Sequence, residues 1–329
     1  MSNLFQTLKN NFILIVTGLI LFLLGVILNP NFFTVLNIQN MLRHAAILGT
    51  LAIGVTFVFL IKEIDLSVGS LMALNIILSI YIAKGIYSFF NKNILQAHNY
   101  LSSGMALIVI LTFAIGISMG LINGVITTKA KISSLITTLG ILYAARGCAY
   151  LLTGGHSIYF SQIREFQWLG SSNILGVPTT FVFFLILSII LILVLKYTPV
   201  GRRLYSIGGN PVAAKLSGIN VKKWILLTFA FSGFCTALST IMYSSYLATA
   251  DPAQGNGYEF SAIAIVVLGG TTLEGGRGTI FGTLLAAIVI GLMNNVFELI
   301  GLKVFYQQVV LGCIIIASVA PNYIRKKLS

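Results

Sequence analysis

The 329-residue chain is short of charge, and of acid above all. It holds 7 Asp and Glu against 20 Lys and Arg, and charged residues are only 8% of it. A soluble domain is about a quarter charged, so this composition excludes an ordinary soluble globule. Cysteine is scarce too: Cys148, Cys235 and Cys313 stand singly in apolar runs with no CxxC spacing. They read as small packing residues, not as metal or redox ligands. His44, His98 and His156 are scattered near the ends of apolar runs and read as interfacial polar residues. No GxxxxGK[ST], HExxH or GxSxG occurs, so the chain carries no P-loop and none of these enzyme signatures. The net charge of +13 comes without any RNP, zinc or helix-turn-helix pattern, which argues against nucleic acid as a partner.

What the chain has is apolar sequence: 57% hydrophobic residues and a mean hydropathy near +1. Apolar runs of spanning length recur along it. The fold class expected is an all-α, polytopic helical transmembrane protein of about ten spans. The segments lie near 12–28, 44–61, 66–83, 105–128, 135–152, 179–195, 224–248, 261–271, 279–297 and 304–320. The eighth is short and ends in glycines, so it is either a full crossing or a half-span. The first, "NFILIVTGLILFLLGVIL", lacks a small-residue cleavage site and reads as an uncleaved span. With the N-terminus inside and ten crossings, Arg43, Lys84, Lys92, Arg164 and Lys303 fall outside and Arg146 falls within a span. The other fourteen of the 20 cations fall inside. Such a bias places both termini in the cytoplasm. The whole chain, 1–329, then forms one membrane domain with an inside loop near 196–223.

Three polar stretches interrupt the runs. "IKEIDLSVGS" (61–70) holds two of the few acids, and Asp65 there suits the capping of the following helix. "GGNPVAAKLSGI" (208–219), in the inside loop, is a punctuated short helix: Asn210 as N-cap, Pro211 at the first position, Gly218 as a left-handed stop. It serves either a protein partner or a resting place on lipid headgroups. "VVLGGTTLEGGRGTIFGT" (266–283) has too many glycines for a helix interior. It is either a break beside a pathway or a plain turn. Its plan loosely repeats that of "GVTFVFLIKEIDLSVGSLMAL", as broken-helix repeats do in transporters. Asn75, Asn123, Arg146, Asn294 and Asn295 are polar residues inside apolar runs, where bundle-facing hydrogen bonds or a cavity are the two expectations.

Taken in order, "PNFFTVLNIQNML", "IDLSVGSLMAL", "RGCAYLLTGG", "LGVPT", "GRRLYSIGGNPVAAKLSGINV", "GYEFSAIAIVVLGGTTLEGGRGTIFGTLLAAIVIGLMNNVFELIGL" and "FYQQVVLG" resemble the permeases of ribose-type monosaccharide ABC importers. The resemblance covers nearly the whole chain. It implies a type-II-importer-like permease of the bacterial cytoplasmic (inner) membrane, multi-pass, paired with a second permease subunit. It also implies a cytoplasmic ABC ATPase, an extracytoplasmic sugar-binding protein and surrounding membrane lipid. ATP and Mg would sit on the ATPase, with no cofactor bound by this chain. It further implies that Asn210, Pro211, Ala213, Ala214, Lys215, Leu216, Ser217 and Gly218 form the ATPase-coupling helix. Asp65, Ser67, Asn75, Glu259, Thr271, Asn294 and Asn295 are the candidate gating or pathway residues. The sequence departs from the family at Lys62 and Glu63, where a glycine pair is usual. Either the turn there is gentler or these two charges reach solvent. The rival class is an ion-coupled secondary sugar transporter using Glu63, Asp65, Glu259 and Glu298.

Overall fold

The computed structural model describes residues 12–90, 105–159, 164–303 and 305–316. Helix α1 (Phe12–Leu28) leads through a 3₁₀ turn at Pro30–Phe33 into α2 (Val35–Leu60), followed by α3 (Val68–Phe90) and α4 (Met105–Val125). A π turn at Ile126–Ala130 joins α4 to α5 (Ser134–Thr153); the short α6 (Arg164–Ser171) and α7 (Thr179–Tyr197) come next. Two short helices, α8 (Pro199–Gly209) and α9 (Pro211–Leu216), precede the long α10 (Val221–Leu247). The order closes with α11 (Tyr258–Leu268), α12 (Ile280–Leu299) and α13 (Phe305–Ile316). Among the described residues seven helices are long and apolar enough to cross a membrane: α2, α3, α4, α5, α7, α10 and α12. Both termini, on which the expected orientation rests, lie outside the described residues, as does most of the loop near 84–104.

The only strands among the described residues are two short antiparallel pairs. β1 (Ile158–Tyr159) pairs with β4 (Thr249–Ala250), and β2 (Asn173–Ile174) with β3 (Val177–Pro178). Leu175 and Gly176 turn the second pair with φ of 51° and 84°, the left-handed geometry that matches strand twist. These strands mark one face of the bundle. α8, α9 and the ends of α2 and α11 mark the other.

Helix α2 begins at Val35, well before the apolar run at 44 that the hydropathy picks out. Its first turns are polar, and each polar group finds a partner. Thr34 caps the helix by accepting from the Asn37 amide. The Asn37 and Asn295 side chains exchange two hydrogen bonds, 3.0 and 2.7 Å. The buried Arg43 guanidinium donates to the carbonyls of Gly170 and Ser171 at the end of α6 and to the Asn173 side chain. A cation at a helix C-terminus is favoured by the exposed carbonyls there.

Packing around α2 and α10 depends on small residues. Lipid gives helices no hydrophobic reason to associate, so close backbone approach must supply the contact energy. Most of α2 is buried, with Gly49 under the Phe184 ring of α7. A Cβ at Gly54 would lie 2.9 Å from that of Cys235 on α10. Gly116, Gly120 and Gly124, spaced by four, lay α4 along α10. A Cβ at Gly120 would sit 2.2 Å from the Phe229 carbonyl oxygen, and one at Gly233 would sit 2.1 Å from that of Gly116. Gly140 on α5, by contrast, has no neighbouring atom within 4 Å of such a Cβ. Gly120→Ala therefore forces two backbones apart, at a cost of about 1–3 kcal/mol. It is expected to lower the thermal midpoint and the folded yield in detergent, whereas Gly85→Ala on α3, where a Cβ likewise meets nothing within 4 Å, leaves both at the wild-type level.

Candidate functional site

Two long helices, α2 and α10, each end in a non-helical segment, and the two segments meet. α2 stops at Leu60 in a full C-terminal motif: the Lys62 amide donates to the Phe59 carbonyl and the Glu63 amide to that of Val58. Lys62 itself takes φ 67°, a region L-residues visit at a cost. The turn is thus as tight as a glycine would make it, and Lys62 is exposed. The chain then runs without helix through Asp65, which is 1% exposed, to Ser67. Asp65 Oδ1 accepts from the Ser67 amide (3.0 Å) and the Ser67 hydroxyl (2.6 Å), and Oδ2 accepts from the Ser232 hydroxyl of α10 (2.8 Å). Asn123 of α4 donates to Ser67 Oγ at 2.8 Å, and Ser134 Oγ accepts from the Ile64 amide at 3.0 Å. The hydrogen bonds from Asn123, Ser67 and Ser232 all lead toward the carboxylate, whose two oxygens act as acceptors. Asp65 also sits at the N-terminal end of α3, where the helix dipole favours negative charge.

A second break follows α10. Asp251 Oδ1 accepts from the Ala253 amide two residues on, and Oδ2 from the Ser157 hydroxyl. That is the arrangement at Asp65: an amide two residues later on one oxygen, a serine from elsewhere on the other. Four residues beyond each aspartate is a glycine, Gly69 or Gly255, and these two touch. A Cβ on Gly69 would lie 2.5 Å from the Gly255 oxygen, and one on Gly255 would lie 2.5 Å from the Gly69 oxygen. Glu259, buried in the first turn of α11, presses its carboxylate against Gly69. Arg146 of α5 holds the loop by donating to the carbonyls of Pro252 (2.7 Å) and Gln254 (2.8 Å). The twin of the 61–67 break is thus the segment 248–257. The glycine-rich 269–279 stretch, which the sequence plan suggested, is instead the turn between α11 and α12.

That turn packs on the opposite face. The Gly276 amide donates to the Leu60 carbonyl at 3.0 Å, and Tyr205 of α8 donates to the Gly278 carbonyl at 2.9 Å. A Cβ at Gly208 would lie 1.8 Å from the Leu60 oxygen and 2.3 Å from the Gly276 nitrogen. The end of α8, the end of α2 and the glycine-rich turn therefore form one junction. Directly after α8 comes α9. Asn210 Oδ1 accepts from the Val212 and Ala213 amides, Pro211 occupies the first turn, and Gly218 takes φ 83°. Gly218 and Ile219 donate back to the carbonyls of Lys215 and Ala214, which closes the helix. Ala214 is its buried side; Val212 and Leu216 are 69% and 84% exposed.

Residues 37–319 match the family described as branched-chain amino acid transport system / permease component. The chain is 40% identical over 301 residues to the ribose import permease protein of Bacillus subtilis, covering 91% of this chain and 88% of that one. It is 38% identical over 304 residues to the protein of the same name in Haemophilus influenzae, covering 91% and 89%. With the D-allose transport system permease protein of Escherichia coli the identity is 32% over 295 residues, 89% and 85% of the two chains. The chain belongs to the ribose-type permease family of ABC importers. No solved structure matches it. The permease is accordingly a multi-pass transport subunit of the bacterial cytoplasmic membrane and not an enzyme.

The permease brings some of the expected site residues together and separates others. Asp65 and Ser67 form one centre, and Glu259 abuts it through Gly69. Asn75 lies further along α3 beside Gly116, buried, with neither amide atom hydrogen-bonded. Thr271 is buried under Gly278 in the glycine-rich turn. Asn295 belongs to the Asn37 pair at the start of α2, and Asn294 beside it is half-buried. Ser232, Ser134 and Ser157 were not singled out from the sequence. The signal for Ser232 is present: Thr228, Ser232, Thr236, Ser239 and Thr240 recur at helical spacing and are all buried. Asp65→Ala would strand three donors in a dry site at a cost of about 2–4 kcal/mol. The expected result is a loss of folded permease on size-exclusion chromatography. Asp65→Asn, which keeps an acceptor, is expected to retain a larger folded fraction.

Proposed function

We propose that this permease forms the translocation pathway of an ATP-driven importer for a monosaccharide or related polyhydroxylated solute. Relatives named for ribose, D-allose and L-arabinose support a sugar. The observation that carries the coupling role is α9: a short, fully capped helix with two apolar side chains held out from the protein on a basic face. Its residues Asn210, Pro211, Ala213, Ala214, Lys215, Leu216, Ser217 and Gly218 dock in the partner ATPase, with Val212 and Leu216 as the inserted pair. ATP and Mg belong to that ATPase. An extracytoplasmic binding protein delivers the sugar at the opposite face.

In this reading α9 faces the cytoplasm. Lys196, Arg202, Arg203, Lys215, Lys222 and Lys223 all lie in the 196–223 segment that carries it, consistent with the positive-inside rule. The 11-residue α11 is roughly 16 Å long, and with the turns at 252–257 that precede it it completes one crossing. That gives about ten crossings, both termini inside, and one membrane domain over 1–329. A second permease subunit packs on α5, where Gly140, Ala144, Gly147 and Leu151 are exposed on one side of the helix. Small exposed residues suit close helix pairing in lipid. Asp65, Ser67, Asn75, Glu259, Thr271, Asn294 and Asn295 contribute to gating. Movement of α9 passes through α8 to the junction of Leu60, Gly208 and Gly276, and from there to the first break.

The test is uptake of radiolabelled ribose, allose and arabinose into proteoliposomes holding the permease, its ATPase and its binding protein. Leu216→Asp with Val212→Asp is expected to cut ATP-driven uptake more than tenfold, because buried apolar anchors carry about 2 kcal/mol or more each at an interface. Folded yield should stay at the wild-type level, since neither side chain packs inside the protein. Unchanged uptake would remove α9 from the coupling role. Uptake by the permease alone on an ion gradient would overturn the ABC mechanism in favour of the secondary transporter.

A further inference from the structure

Beside α9 lies a cleft lined by Arg203, Gly218, Asn220, Lys223, Trp224 and Leu227. Its charged members are cations only, and the whole 196–223 loop contains no acid. The Arg203 guanidinium lies over the Trp224 ring, 5.6 Å from its centroid. This fixes the charge at the foot of α10. A second cleft adjoins the first and shares Trp224 and Leu227 with it. Its other walls are apolar: Phe57, Leu191, Val194, Val200, Leu204 and Phe231, with Thr228. From Trp224 to Phe231 this groove rises along α10 by roughly 10 Å. The two clefts thus form one feature with a cationic foot and an apolar shaft.

We propose that this feature is a binding site for an anionic phospholipid of the cytoplasmic leaflet. The phosphate rests between Arg203 and Lys223, and one acyl chain lies in the groove between α7, α8 and α10. The proposal rests on the orientation adopted above, with α9 at the cytoplasm. Charge complementarity selects an anionic head, and basic pockets at the cytoplasmic side of membrane helices suit such heads. The depth of the groove selects a lipid over the ATPase: a soluble partner can cover Arg203 but cannot follow Leu227 and Phe231 into the bilayer. Trp224 and Tyr197, the latter under the Lys196 ammonium at 5.1 Å, are aromatic residues of the kind that settle at headgroup level. The site joins α8 to α10, the two helices that flank α9. A bound lipid would therefore brace the coupling helix from its membrane side.

The experiment is native mass spectrometry of the full-length permease released from nanodiscs of phosphatidylcholine containing a minority of phosphatidylglycerol. Wild type is expected to retain phosphatidylglycerol in preference to phosphatidylcholine. Arg203→Gln with Lys223→Gln should reduce that retention roughly tenfold or more, from about 1 kcal/mol per basic residue, with the thermal midpoint in pure phosphatidylcholine unchanged. Equal retention of the two lipids by wild type, or undiminished retention by the double variant, would overturn the proposal. A second arm needs no variant: phosphatidylglycerol with a photoreactive diazirine on its acyl chain is cross-linked to wild type in nanodiscs. Labelling is expected on the peptides spanning 191–204 and 224–231, and labelling confined to other helices would overturn the assignment. If the permease shows these lipid contacts but transports normally after Leu216→Asp, the lipid site stands and the coupling role of α9 falls.

Discussion

A backbone that leaves the helix within a membrane protein must find a partner for each buried amide and carbonyl, because lipid offers none. The architecture of this permease follows from meeting that constraint twice, at 61–67 and at 251–257. In each place an aspartate accepts the amide two residues ahead and a serine from another part of the chain. A glycine four residues later allows the two breaks to touch. Arg146 supplies donors to the carbonyls of the second break. Around this crossing, glycines at helix contacts bring α2, α4 and α10 together at backbone distance.

The two ends of the molecule connect to this centre differently. On the strand-bearing face, β4 and Asp251 lead straight into the second break. On the α9 face, the contact runs through backbone groups: Gly208 and Gly276 against the last carbonyl of α2, then Lys62 and Glu63 into the first break. This junction is mostly glycine backbone, tied in addition by the Tyr205–Gly278 hydrogen bond, so little in it can absorb a displacement of α8. In the coupling role proposed for α9, that helix, the lipid groove proposed at its flank and the Asp65 centre would form one mechanical series.

Much of this was legible in the sequence because it is local. The caps of α9 are written in Asn210, Pro211 and Gly218, and the apolar runs locate the middle of each long helix but not every end. The start of α2 was missed because Asn37, Asn40 and Arg43 look like loop residues until their partners at 295, 246 and 170–173 are known. Asp65 suits a cap near the membrane edge, but its Oδ1 accepts from the amide and hydroxyl of Ser67, just ahead of α3, which begins at Val68. Its full burial depends on Ser232, 167 residues away, which no local pattern reveals. Lys62 shows the reverse: without the glycine the options are a gentler bend or charges that reach solvent, and Lys62 takes the second, exposed and held in the left-handed conformation by the helix-ending hydrogen bonds. The two segments that meet share the Asp-x-x-x-Gly spacing of Asp65–Gly69 and Asp251–Gly255, whereas the shared plan of apolar run, charged or glycine break and helix start points to the 266–283 stretch.

The central claim is that both breaks are ordered, hydrogen-bonded structure inside the protein. Amide hydrogen exchange of the full-length permease in nanodiscs tests it most directly. The account predicts that the amides of Lys62, Glu63, Ile64, Ser67, Ala253 and Gln254 exchange as slowly as those in the middle of α10, although none of them is helical. Exchange at the rate of exposed loop residues in either segment would contradict it.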